Sequence, residues 1–443
     1  MKPPKITPMS SYNYILVLLF GMSSMLGYTQ EILTSEQAIS IALENNYEIR
    51  MAKNELRIDS LSLSPGFAGM LPRVNAFLDD NNSIQNLEQT RSDGTVNSQD
   101  DAKNNSLNYG LELDWTLFDG FKMFATHERL KEQQNLGANA LKESIIGNLS
   151  DVLITYYDLV QQQQQLAALD STVVISKQRV TLAQNRFHIG KASKLEVLNA
   201  QVDLNTDQTQ FLKQNELLAN TKIELNRLLA RDIEISFSVE PSIKIDSGLF
   251  LPDLQAMAVE NNPELLSQII QNKIAELEFK EIRASRYPTV IATTSYNFSE
   301  SESSLGFTTN SSSHGLRYGI GVNMNIFDGF KQNRSEKIAK LRIDNSKLTI
   351  EQQQKKLLSQ LSIAHQTYKT NLKLIALENK NESMAKENLE ITMEKYRIGI
   401  IPTIEFRTAQ LNYINAQLRH SNAIFKAKLS EISLKALSGN LPM

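Results

Sequence analysis

The residues best placed to do chemistry lie in two phrases of like pattern, RFHIGKASKLEVLNAQ at 186–201 and KYRIGIIPTIEFRTAQ at 395–410. Each sets an aromatic, then a glycine, then a hydroxyl and an acid: Phe187, Gly190, Ser193 and Glu196, against Tyr396, Gly399, Thr403 and Glu405. The chemistry on offer is turning and fixed charge, not bond making. Glycine reaches the positive φ needed where one helix reverses into another. Ser193-x-x-Glu196 fits a capping box, whereas Thr403-x-Glu405 is one residue short of it. Nothing anchors an enzyme. The chain has no cysteine, its five histidines lack metal-ligand spacing, and no phosphate loop, nucleophile elbow or HExxH is present. No catalytic residue, metal or cofactor is therefore expected.

A second phrase is repeated outright. FDGFK occurs at 118–122 and again at 327–331. Asp119 and Asp328 suit the N-cap of a helix, and Gly120 and Gly329 let a strand turn into a helix axis. Phe118 and Phe327 end the strands that precede them.

These phrases belong to a duplication. A shift of about 209 positions superimposes both FDGFK copies and both glycine turns. Glu44-Asn45-Asn46 meets Glu260-Asn261-Asn262 at a shift nearer 216, so the copies differ in length by about seven residues before FDGFK. Loops absorb such differences. The reading divides the chain into a signal peptide at 1–29, a first repeat at 30–240 and a second at 241–443. The signal peptide rests on Lys2 and Lys5 ahead of the short apolar run ILVLLF.

Each repeat changes period at FDGFK. Before it, Leu107, Tyr109, Leu111, Leu113, Trp115 and Leu117 alternate with polar residues, as do Leu316, Tyr318, Ile320, Val322, Met324 and Ile326. Period two predicts strands, long enough to cross a bilayer, in hairpins at 73–117 and 289–326 with polar loops at 82–105 and 300–315. Tyr109, Trp115 and Tyr318 are girdle candidates on the lipid-facing rows. After FDGFK the period is helical. Ile145, Leu149, Val152, Tyr156 and Leu159 form a coiled-coil seam, answered by Leu358, Leu361, His365, Tyr368 and Leu372. One helix of roughly 65 residues, about 100 Å long, is expected at 122–187 and again at 331–396, each flanked by half-length helices at 35–64, 194–230, 251–284 and 403–438. The Gln161–Gln165 run reads as a solvated helix face, and His365 as a packed histidine.

Four strands cannot close a barrel, so strands that enter a membrane require oligomerisation. Net charge is −3 and the basic residues are scattered, which argues against a nucleic-acid partner.

Taken together, the duplication, the strand–FDG–helix joints and the two glycine turns resemble the TolC-like outer membrane efflux protein family, over nearly all of residues 31–443. The resemblance implies a mainly α fold with transmembrane β: duplicated long antiparallel coiled coils forming a periplasmic tunnel, plus four strands per chain in a twelve-stranded barrel shared by a homotrimer. It implies an exit duct in the outer membrane and its lipid, fed by an inner-membrane efflux pump or ABC transporter through a periplasmic adaptor (membrane fusion) protein. Residues 189–191 (Ile189, Gly190, Lys191) and 398–400 (Ile398, Gly399, Ile400) would be the adaptor-contact tips. Tyr396, Glu405 and Glu196 match gate and selectivity positions, although Ile401 replaces a basic partner and Thr408 a second acid. The alternative is an exported coiled-coil structural or adhesin-like protein without channel activity.

Overall fold

In the computed structural model, residues 31–304 and 308–441 are described. The expected signal peptide at 1–29 lies outside them. The elements in chain order are β1 (Glu31–Leu33), α1 (Ser35–Asn45), α2 (Tyr47–Ser62), β2 (Arg73–Thr90), β3 (Val96–Phe118), α3 (Lys122–His188), α4 (Lys194–Leu228) and β4 (Phe237–Val239). The second half supplies α5 (Leu251–Asn261), α6 (Pro263–Ala284), β5 (Thr289–Ser303), β6 (Asn310–Asn323), α7 (Lys331–Arg397) and α8 (Thr403–Leu437). Both long helices run 67 residues and both returning helices 35, so the repeats match in helix length.

Two of the half-length helices depart from expectation. Those that open the repeats, expected at 35–64 and 251–284, are each broken in two, at Asn46 and at Asn262, whereas the returning helices are continuous. The Asn46 side chain accepts from the N–H groups of Glu48 and Ile49, and the Asn262 side chain from Leu265. An asparagine amide that binds the backbone N–H groups ahead of it ends one helix and starts the next. The Glu-Asn-Asn phrases that mark the repeat are thus helix breaks, reinforced in the second copy by Pro263 at the first helical position.

The chain forms two compact units, each drawing on both repeats. One comprises residues 31–42 together with 152–245 and 374–428. Here β1 and β4 pair in parallel, a small sheet that no periodicity announced. Phe237 and Leu33 are fully buried in it. Tyr156, in the seam of α3, donates its hydroxyl to the Leu33 carbonyl at 3.0 Å, and burial pushes its pKa up to about 12.

The other unit comprises the described residues of 43–151, 246–373 and 429–441. It holds an antiparallel sheet in the order β2-β3-β5-β6. At their polar ends the strands reach further than the hydrophobic alternation, but β6 stops at Asn323, short of the Met324 and Ile326 expected to carry it to Phe327, whereas β3 runs to Phe118. β2 and β3 stay paired out to Thr90 and Val96, so the polar segment expected as a loop at 82–105 is mostly ladder, with its turn at 91–95. The segment at 300–315 is likewise paired along most of its length. Backbone hydrogen bonds hold a ladder whatever its side chains, and an Asn- and Ser-rich strand carries no hydrophobic period to betray it. His365 bonds through Nε2 to the Leu249 carbonyl at 3.3 Å, the counterpart in the second repeat of the Tyr156–Leu33 bond. Trp115 donates its indole N–H to the Met70 carbonyl at 3.0 Å.

The FDG joints are built alike. Asp119 accepts from the Met123 N–H at 2.9 Å, and Asp328 from the Gln332 N–H at 2.7 Å. Gly120 and Phe121 both lie at positive φ, 73° and 68°, as do Gly329 and Phe330 at 67° and 66°. Two successive left-handed residues turn the chain, and the aspartate then satisfies an N–H that the first helical turn leaves free. Phe118 packs edge-on against Phe121, and Phe327 against Phe330.

Candidate functional site

The first unit contains both helical turns that the glycines make. Gly190 and Gly399 adopt φ of 75° and 83°. Around them the Lys191 N–H reaches the Arg186 carbonyl at 2.8 Å and the Ile400 N–H the Lys395 carbonyl at 3.0 Å. The Gly190 and Gly399 N–H groups reach Phe187 and Tyr396. Both ends are Schellman turns, in which a left-handed glycine lets two amides close back on the last helical carbonyls. They leave Ile189, Ile398 and Ile400 exposed at the apices, with Lys191 beside them. The Ser193 side chain accepts from the Glu196 N–H at 3.3 Å and caps α4. At the second turn the helix already begins at Thr403, one residue earlier than a Thr403 cap requires, and the Glu405 N–H bonds to the Pro402 carbonyl.

Two of the three expected gate residues meet. Tyr396 is buried and donates its hydroxyl to Glu196 Oε1 at 3.0 Å. Arg186 Nη1 lies 3.4 Å from the same oxygen, and its guanidinium sits over the Tyr396 ring at 5.4 Å from the centroid. The ring also stacks on Phe406, centroids 5.2 Å apart and planes 16° from parallel. Leu389 and Ala409 complete the packing. Burial raises the pKa of the Tyr396 phenol, so it stays a proton donor to Glu196 through the neutral range. Glu405 is exposed and stands outside this cluster.

A larger polar cluster lies further along the helices, and sequence reasoning missed it. Arg407 on α8 grips Asp207 on α4 bidentately, Nη1 to Oδ2 and Nη2 to Oδ1, both at 2.8 Å. Ser176 on α3 donates to Asp207 Oδ2 at 2.5 Å. Gln410 accepts from Arg407 and donates to Ser176 at 2.9 Å. Arg179 pairs with Asp203, which also lies 3.7 Å from Arg407 Nε. The arrangement sews α8 to both arms of the other hairpin by charge-assisted bonds in a low-dielectric setting. The one signal that could have found it is a failure of the repeat. Arg407 stands where the first copy has Leu198, and Asp207 where the second has Ala416.

The glutamine run is not a solvated face. Gln161 and Gln162 are buried, Gln162 bonds to Asp158 and Thr221, and Gln164 bonds to Ser421 and the Pro241 carbonyl. Side-chain amides that each donate and accept can satisfy one another between packed helices. Among the described residues no cluster of His, Asp or Glu is arranged to hold a metal, and no helix is long and apolar enough to cross a membrane.

The comparisons with known proteins converge. The alkaline protease secretion protein AprF of Pseudomonas aeruginosa is 23% identical over 399 residues, spanning 88% of this chain and 80% of that protein. The probable outer membrane lipoprotein SilC of Salmonella typhimurium is 22% identical over 90% of the chain and 85% of its own length. Among solved structures, the Campylobacter jejuni CmeC outer membrane channel superposes with a TM-score of 0.75 at 17% identity, covering 99% of this chain and 94% of that one. The outer-membrane channel OprN gives 0.75 at 15% identity, over 92% and 90%. The family model described as "Outer membrane efflux protein" matches in two segments, residues 38–231 and 254–440. With most of its length matched and the same fold in the solved channels, this chain belongs to the outer membrane efflux protein family.

Proposed function

We propose that three copies of this chain form the exit duct of a tripartite efflux or type I secretion assembly, with its inner mouth held by the tip cluster described above. The duct takes substrate from an inner-membrane efflux pump or ABC transporter through a periplasmic adaptor and passes it across the outer membrane. The observation that carries this reading is the joint itself. Strands of a four-stranded sheet run through capped, left-handed Asp-Gly-Phe turns towards 67-residue helices, twice in one chain, and the sheet is left open at both edges. Closing such a sheet in a membrane takes further copies, because every backbone polar group there needs a partner.

In this reading Tyr396, Glu196 and Arg186 keep the two hairpins of one chain together. Glu405 is free to project a carboxylate into the mouth, and the exposed isoleucines with Gly190, Lys191 and Gly399 meet the adaptor. A ring of like carboxylates at a constriction favours cations over anions. Purified protein in planar bilayers is expected to give discrete, cation-preferring channels, and Glu405→Gln to lose much of that preference and of its block by divalent cations. Absence of any conductance, or quantitative recovery of the mature chain as a soluble species, would overturn the duct. Unchanged ion preference in Glu405→Gln would overturn the role of Glu405 alone.

A further inference from the structure

Among the described residues of the sheet-bearing unit, the two repeats are joined through one face of each. Within the sheet-bearing unit, α2 packs on α3 and α6 packs on α7, the same contact made once inside each repeat: Gln134 donates to Ser60, and Ser346 to Asn272. The link from the first repeat to the second is α3 against α6. Arg129 meets Glu281 at 2.7 Å, Glu132 pairs with Lys273, and Asn139 donates to Ser267 at 2.8 Å and to the Pro263 carbonyl at 2.5 Å. The sheet does the same, β3 pairing with β5. Among the described residues the return link, α7 against α2 and β6 against β2, is not made: β2 and β6 are the sheet edges, and the facing rows of α2 and α7 are exposed.

Carrying the α3–α6 contacts through the repeat shift shows what the missing link would consist of. Arg129, Glu132 and Asn139 become Ile338, Leu341 and Leu348 on α7, while Ser267 becomes Met51 on α2. Ile58 and Leu61 continue the Met51 row at coiled-coil spacing. All six apolar side chains are more than half exposed in the single chain. Two matching apolar rows of this length are unusual on a face with nothing to cover it.

We infer that α2 of one copy docks on α7 of the next in the register that α6 keeps on α3, so that Met51 meets Leu348 of the neighbouring copy in an apolar seam. This rests on the assembly stated under Proposed function and adds the surface, its register and its chemistry. The contact is heterologous, α2 to α7 and never α2 to α2, and a heterologous contact generates a ring when its rotation closes. The change of chemistry has a physical reason. The ionic α3–α6 seam is held together by the intervening chain, so it needs specificity more than attraction. The seam between copies has no tether and must gain its association from apolar burial. Arg57, the counterpart of Lys273, then faces Leu341 in place of an acid and covers it with its aliphatic stem. The glycine of the joint agrees. A Cβ on Gly120 would meet the Ala284 carbonyl and Tyr287, whereas around Gly329 the single chain leaves open space, the room that Ala68 and Leu71 of the next copy would fill.

The absence of native cysteine makes the test direct. Met51→Cys combined with Leu348→Cys, in detergent-extracted full-length protein under mild oxidation, is expected to yield covalent dimers and trimers on non-reducing denaturing gels. Each single variant should remain monomeric there, as should the out-of-register pair Met51→Cys with Leu341→Cys. Light scattering of the same samples fixes the oligomeric state. Trimers that do not cross-link, or that cross-link equally in the out-of-register pair, overturn the seam and leave the duct standing. A disulfide formed within one chain also overturns it. A protein monomeric throughout overturns the duct and the seam together.

Discussion

Replacing Arg407 with alanine should be among the most damaging single changes in the helical hairpins, costing about 3–5 kcal/mol. The reason lies in what is left behind. Asp207 would keep Ser176 as a donor but lose both guanidinium bonds while remaining buried, and Asp203 would retain only Arg179. An uncompensated buried carboxylate loses hydration that nothing returns. The double variant Arg407→Ala, Asp207→Ala should recover a large part of the loss, because no buried charge is then stranded. The full cycle by thermal or denaturant unfolding is expected to give a coupling of at least about 1.5 kcal/mol, in the upper range for residues that share one network. Hydrogen exchange should locate the loosening in α4 and α8 around the pair. A single-variant cost under about 0.5 kcal/mol, the ordinary range for a surface change, would show that the cluster does not hold the hairpins.

The second large effect is expected at Gly120. An alanine there must hold a φ of 73°, which disfavours an L-residue by about 1–2 kcal/mol. Its Cβ would also come within 2.3 Å of the Ala284 carbonyl oxygen and 2.8 Å of Tyr287 Cβ, closer than atoms can approach. The backbone must move, and overpacking of this kind costs about 1–3 kcal/mol more. Gly120→Ala should therefore lower the yield of folded protein in the outer membrane sharply and depress its melting temperature. If it behaves like the wild type in both respects, the close approach of joint and helix end is not a requirement of the fold.

The legibility of this protein in its sequence follows from the kind of regularity each feature has. The long helices were readable to within a residue or two, because a coiled-coil seam states its period over many turns and proline is absent. The FDG joints were readable because a cap and a left-handed turn demand particular residue types within five positions, and they recur. The glycine turns were readable for the same reason, down to the Ser193 cap. The polar ends of β2, β3, β5 and β6 were not, since ladder bonds belong to the backbone and Asn and Ser leave no alternation. The breaks at Asn46 and Asn262 were visible as landmarks but not as breaks, because an asparagine in a helical pattern declares itself only once its side chain is seen to turn on the following amides.

Local pattern thus determined the duplication, the long helices and their joints: each depends on residues near one another in the chain, whose period or turn chemistry is written in order. What the tertiary structure alone decided is which charges meet. Tyr396 finds Glu196 and Arg407 finds Asp207 across 200 residues of chain in each case. The geometry of those meetings is set by how four helices pack, and Arg407 and Asp207 are among the places where the two repeats cease to resemble each other. A repeat announces what its copies share. The Arg407–Asp207 bonds that hold the copies against one another lie in what they do not share, and only the folded chain brings those residues within reach.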